Sequence, residues 1–273
     1  MTGRAVDDAV DDAGEDAGEP TLRVLDDATA ASQSAAVAIA AALRDADAVR
    51  GRADWATTGG SSPVGIYRAL RVAPLRDVVP WATTHVWWGD DRYVPREDKL
   101  SNVRPLDHEL LPRRWNVPLP AENVHTMQMD EAIASEAGTA WVAEAYADEL
   151  RAAGIPIGGN GMPALDLVLL GIGGDGHLLS VFPGSPLLDS TAWASPVEAP
   201  THIEPHVARV SLNPGIVASA RRVIVVVTGA AKASVLAEIF GPERDVRRWP
   251  AQLARRSTAT WVLDREAAAQ LPR

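Results

Sequence analysis

The stretch Asp166-Leu167-Val168-Leu169-Leu170-Gly171-Ile172-Gly173-Gly174-Asp175-Gly176-His177 decides how the chain folds. Its first half is a short, continuous apolar run, the pattern of a strand buried on both faces of a parallel sheet. The run then breaks into four glycines, an aspartate and a histidine. Glycine lets a backbone turn sharply and approach a ligand with no Cβ in the way. In open α/β sheets the ligand crevice lies beyond the carboxyl ends of the strands. Asp175 and His177 therefore stand where chemistry is expected.

Working outward, strands and helices alternate. Further strands are expected at 54–58, 83–88, 209–212, 223–227 and 260–263, with a short one at Trp193. Helices are expected at 28–47, from Pro63, and at 105–111, 131–153, 213–220, 230–240 and 265–271. This alternation implies parallel βαβ crossovers and one doubly wound, mostly parallel, Rossmann-like α/β sheet flanked by helices, spanning residues 21–273.

Composition narrows the function classes. Of the formal net charge of −10, residues 1–20 carry −6 (seven acids against Arg4), leaving −4 on the body. Those residues lack the basic and apolar regions of a signal peptide and read as a disordered acidic tail. A body without net positive charge offers no nucleic-acid surface. No apolar run approaches the roughly 20 residues needed to span a bilayer. With no cysteine in the chain, thiolate chemistry and Cys-ligated metals are excluded. A soluble, cytoplasmic protein is expected, as a monomer or small homo-oligomer. Only Lys99 and Lys232 are lysines among the 26 basic residues; a chain that favours Arg so strongly keeps a Lys either where a compact ammonium is wanted or by chance.

Polar residues cluster after four strands. Thr58-Gly59-Gly60-Ser61-Ser62-Pro63 joins a strand to a helix, and such a turn attracts an anion, phosphate above all, through backbone N–H groups and the helix dipole. A tight turn with a Ser N-cap is the plainer alternative. Gly89-Asp90-Asp91-Arg92 and Thr228-Gly229-Ala230-Ala231-Lys232 have the same strand-end character. Gly171-x-Gly173-x-x-Gly176 also matches the dinucleotide fingerprint. That fingerprint needs a following helix, which Phe182-Pro183-Gly184 cuts short. His85, His108, His202 and His206 read as structural, and Pro205 argues against a helical metal pair at 202 and 206. No metal and no cofactor are expected.

Taken together, Thr58–Pro63, Trp88-Gly89-Asp90-Asp91-Arg92-Tyr93-Val94-Pro95 with Ser101-Asn102, and Leu170–His177 with Phe182-Pro183-Gly184 resemble the 6-phosphogluconolactonase family in order and spacing. The resemblance covers roughly residues 21–270. It implies the sugar-phosphate isomerase/lactonase type of sheet and hydrolysis of 6-phospho-D-glucono-1,5-lactone to 6-phosphogluconate in the oxidative pentose phosphate pathway. His177 would be the general base, since histidine titrates near neutral pH, with Asp175 holding the loop or orienting the imidazole. Backbone N–H groups of Gly173 and Gly174 are candidate oxyanion donors. Gly59, Gly60, Ser61, Ser62, Arg92, Arg209 and Lys232 would hold the phosphorylated substrate. The related glucosamine-6-phosphate deaminase/isomerases carry a catalytic Glu five residues after the His, where this chain has Phe182. A non-catalytic sugar-phosphate sensor is the other alternative. Two departures stand out: lactonases usually read Asp-Glu-Arg where this chain has Asp90-Asp91-Arg92, and Ser62 replaces a common Thr.

Overall fold

Strand side chains alternate between the two faces of a sheet, so strands apolar at every position need cover on both. That is the arrangement in the computed structural model, which describes residues 18–272. Residues 1–17 of the expected acidic tail lie outside the described residues. The strands are β1 (Thr21–Leu25), β2 (Ala53–Thr57), β3 (Thr84–Trp88), β4 (Asp90–Arg92), β5 (Leu167–Leu170), β6 (Ala194–Val197), β7 (Arg209–Leu212), β8 (Val223–Val227) and β9 (Ala259–Asp264). The helices are α1 (Ala28–Arg50), α2 (Ser62–Leu70), α3 (Leu75–Val78), α4 (Arg104–Glu109), α5 (Met129–Ala134), α6 (Gly138–Ala152), α7 (Ile216–Ser219) and α8 (Ala233–Ile239).

Six strands form an all-parallel sheet in the order β1-β9-β8-β5-β2-β3. Trp55, Trp88, Leu167, Leu169, Ile224 and Val226 point into one core, which α1 and α2 cover. Ala56, Trp87, Val168, Leu170, Val225 and Trp261 point into the other, under α6 and α8. Helix α1 is built for close approach. Asp27 caps it by accepting from the Ala30 N–H at 2.8 Å, Gly51 ends it at φ 69°, and its buried face is largely alanine. From β2 the chain steps outward to β3, and from β5 it steps the other way to β8 and β9. The topological switch therefore lies between β2 and β5, and a crevice opens at such a point.

Three features depart from the sequence reading. Residues 21–25 form the edge strand β1, whose side chains are mostly exposed and give no apolar signal. The helix expected at 131–153 is two helices, because the chain reverses through Glu136 (φ 57°) and Gly138 (φ 79°). A second, antiparallel sheet of order β4-β7-β6 also flanks the first, with β4 formed by residues read as a turn.

Asp166 ties the two strands of the switch point together. Its carboxylate is buried, accepts from the Asp54 N–H at 2.8 Å, and is ion-paired with Arg50 and, at 3.5 Å, with Arg221. Asp166→Ala leaves a buried N–H without an acceptor and should cost about 2–4 kcal/mol in denaturant unfolding. Asp166→Asn keeps the oxygen facing Asp54 and should cost less; equal losses would mean that the charge alone matters.

Candidate active site

The carboxyl ends of β2, β5 and β8 surround a cavity of about 220 Å³. Its lining includes Thr58 to Ser62 after β2, Gly171 to Gly173 and His177 after β5, and Thr228 and Lys232 after β8. The small antiparallel sheet supplies Asp90, Arg92 and Arg209. Arg92 and Arg209 face each other directly across the β4–β7 pair.

His177 and Asp175 meet. The imidazole Nδ1 lies 2.6 Å from Asp175 Oδ1, and the His177 backbone N–H donates to the same oxygen at 3.2 Å. Burial on its own would raise the Asp175 pKa. The hydrogen bond and charge of His177, together with a second hydrogen bond from His202, overcome it and hold the carboxyl well below the usual range. An ionised Asp175 can only accept, so the proton between the two groups sits on Nδ1 and Nε2 is the ring nitrogen left facing away from the carboxylate. A Cβ at Gly173 would overlap the imidazole and the Asp175 carboxylate, so this contact needs glycine there. Gly176 (φ 81°) sits against Trp249, and Leu179, which also lines the cavity, holds φ 54°. Backbone strain of this kind gathers at functional sites.

The cations of the cavity have no carboxylate partner among the described residues. Arg92 donates from Nη1 to the Leu100 carbonyl at 2.8 Å, and Arg209 from Nη2 to the Pro205 carbonyl at 3.2 Å. Both leave a buried Nε without a partner. Lys232 donates to the Ile172 carbonyl at 2.8 Å, and burial lowers its pKa against the opposing pull of Asp175. Ser61, at the N-cap of α2, makes no side-chain capping bond, which leaves that helix end open toward the cavity. Three cations without carboxylate partners among the described residues, beside an uncapped helix end, make an arrangement suited to a multiply charged anion.

Residues 26–263 match the family of glucosamine-6-phosphate isomerases/6-phosphogluconolactonase. The chain belongs to this family. It is 33% identical over 255 residues to a 6-phosphogluconolactonase of Streptomyces coelicolor, covering 93% of this chain and 95% of that one. It is 32% identical over 256 residues to that of Synechocystis, covering 92% and 98%. The solved 6-phosphogluconolactonase of Trypanosoma brucei superposes with a TM-score of 0.81 at 28% identity, covering 93% of this chain and 100% of that one. A monomeric glucosamine-6-phosphate deaminase shares the fold, with a TM-score of 0.72 at 17% identity over 92% of this chain and 99% of that one.

Within this member of the family, Gly59, Gly60, Ser61, Ser62, Arg92, Gly173, His177, Arg209 and Lys232 all line the one cavity. Gly174 does not: it is exposed and outside the lining. Of the two expected oxyanion donors, the Gly173 N–H already donates to the His177 carbonyl at 2.9 Å. No helix follows the glycine turn, which removes the dinucleotide reading.

Sequence reasoning set His202 aside as structural, yet its Nε2 lies 2.8 Å from Asp175 Oδ2. It also assigned no role to Asp90 and Asn102, which line the cavity. Asn102 donates to the Asp90 carbonyl oxygen at 2.8 Å, and a Cβ on Gly59 would overlap its side chain.

Asp91 turns away from this cavity and latches the following loop. Its Oδ1 accepts from the backbone N–H of Arg92 at 2.8 Å and of Asn102 at 2.7 Å. Burial pushes its carboxyl up to about 7, with Asp90 adding to the rise and the two N–H bonds opposing it. Both backbone bonds fall on Oδ1, while Oδ2 meets only the Ser101 hydroxyl, at 3.5 Å, and is the oxygen that can carry the proton.

Two predictions follow from this geometry. Gly173→Ala should displace the imidazole and remove most activity while the fold persists, read as kcat against the far-UV spectrum. A folded carboxyl pKa above its unfolded value means that the native state holds the extra proton between pH 4 and 7. Asp91 therefore contributes stability at low pH that is lost as pH rises through about 7. The slope is on the order of 1 kcal/mol per pH unit. Asp91→Asn keeps both Oδ1 bonds and should flatten the fall in unfolding free energy between about pH 4 and 7; an unchanged slope would show that Asp91 is ionised throughout.

Proposed function

We propose that the chain hydrolyses 6-phospho-D-glucono-1,5-lactone to 6-phosphogluconate with His177 as general base. The observation that carries this reading is one cavity holding both a carboxylate-oriented imidazole and three cations without carboxylate partners among the described residues. The lactonases among its relatives support it, and the chain is accordingly a lactone-hydrolysing enzyme.

Lactone hydrolysis breaks one ester bond with one water. His177 Nε2 takes a proton from the water as its oxygen attacks C1, and the carbonyl oxygen becomes an oxyanion. Asp175 stabilises the imidazolium formed, in the way a buried carboxylate supports histidine in hydrolytic triads. When the C1–ring oxygen bond breaks, the imidazolium returns its proton to the departing alkoxide. The products balance as one carboxylic acid and one hydroxyl. Arg92, Arg209 and Lys232 hold the phosphate, with the 58–62 turn adding N–H groups and hydroxyls. Binding at a distance from C1 orients the ester for attack.

Phe182 argues against deaminase chemistry. Its ring stands 4.7 Å from that of His177, so the position holds an apolar ring where amino-sugar ring opening calls for a second acid–base group.

The test is hydrolysis of freshly generated 6-phosphogluconolactone by wild type and His177→Ala, each against the spontaneous blank. Wild type should accelerate the reaction, and the variant should lose about 10²–10⁴-fold, the usual weight of general-base catalysis. No acceleration over the blank rejects the lactonase reading and makes ammonia release from glucosamine 6-phosphate the next measurement. A fully active His177→Ala would leave the reaction standing and dismiss the base.

A further inference from the structure

We infer that His202 is a positioning residue for this reaction, acting through Asp175; the inference rests on the lactonase reading above. His202 lies in the loop between β6 and β7, far in sequence from the glycine turn. Its Nε2 donates to Asp175 Oδ2 at 2.8 Å, while His177 occupies Oδ1 at 2.6 Å. A carboxylate held by one oxygen swings about its last bond, because that torsion is broad. Anchored at both oxygens, its plane is fixed, and with it the direction of the His177 Nδ1–H bond and the aim of Nε2.

Two further contacts make the arrangement a unit. Phe182 stands between the imidazoles, 4.7 Å from His177 and edge-on to His202 at 5.6 Å. The loop is closed by His206 Nδ1 donating to the Pro200 carbonyl at 2.6 Å, and Arg209 reaches it through the Pro205 carbonyl at 3.2 Å. One loop therefore touches both the orienting carboxylate and a cation of the anion receptor. The His202 side chain is 50% exposed, so its bond to Asp175 adds little to folding, as exposed ion pairs generally do. Its effect belongs to the chemical step.

Two substitutions separate the hydrogen bond from the packing. His202→Gln places an amide N–H where the imidazole Nε2–H stands. His202→Phe keeps a ring against Phe182 and has no donor. With 6-phosphogluconolactone, His202→Phe should lower kcat about tenfold, the scale on which orienting partners act, with KM and thermal midpoint unchanged. His202→Gln should stay within about twofold of wild type, since it restores the orienting bond. Wild-type kcat in the Phe variant overturns the inference. So does equal loss in both variants, which would assign the effect to loop packing. Imidazole ¹⁵N spectra of the resting protein test the same idea without turnover, so a failure of the lactonase reading stays distinguishable. They should show His202 as the Nε2–H tautomer and a change in the His177 ring signals in His202→Phe. A His202 ring without tautomeric preference, or His177 signals indifferent to the substitution, overturns it whatever the substrate.

Discussion

The hydrogen bond from His177 to Asp175 is made inside a turn with no room for a side chain at its centre. Gly173 lies beneath both partners, and its backbone closes the turn by donating to the His177 carbonyl and accepting from Gly176 at 3.2 Å. Only glycine fits at 176, because Trp249 packs where a Cβ would be. The dyad is thus carried by a backbone turn at a strand end, with His202 reaching the second carboxylate oxygen from another loop. Sites built on strand ends hold a productive geometry more closely than sites on loops. The same crowding explains why the turn cannot supply an oxyanion donor through Gly173: the N–H that faces inward is part of what holds the turn together.

The second organising constraint is electrostatic. Arg92 and Arg209 are direct cross-strand neighbours, a pairing of like charges that is unfavourable on its own. Burial strips water from Arg209, and each of the two leaves its Nε buried without a partner. Lys232, from the opposite side of the cavity, adds a third cation. An arrangement of this kind is tolerated because the surrounding sheet fixes it, and a bound anion would relieve it. The switch point between β2 and β5 explains the location, since strand ends from both halves of the sheet open onto the same crevice.

How much of this was legible in the sequence depends on whether the signal was local. The buried strands announced themselves as apolar runs, as at Val223–Val227, and the glycine turn announced its own position. β1 gave no such signal, because an edge strand with exposed side chains is held by backbone bonds to β9 alone. The break between α5 and α6 was hidden because Glu136 adopts a positive φ with no glycine at that position. β4 reads as three charged residues, and its strand character comes from its partner 117 to 121 positions away in the chain. The site residues on strand ends could be named, but their meeting in one cavity could not. His202 had no sequence signal at all, since its tie to Asp175 runs from a proline-rich loop whose path no spacing rule describes.

Phe182 brings these constraints together. The Arg209 guanidinium lies 5.1 Å from the centroid of its ring, and the His177 and His202 rings flank it. A carboxylate in that position would stand among two imidazoles and a guanidinium. It would compete with Asp175 for the histidines and neutralise one cation of the anion receptor. The apolar ring does neither: it leaves Asp175 as the acceptor shared by both imidazoles and sets no anion beside Arg209. An aromatic face also attracts a nearby cation without removing its charge. A reaction that needs one base and one held anion is served by that arrangement, and one that needs an additional proton donor beside the first is not. The residue that separates this chain from the deaminase pattern in sequence therefore adds no further charge between the two halves of its site.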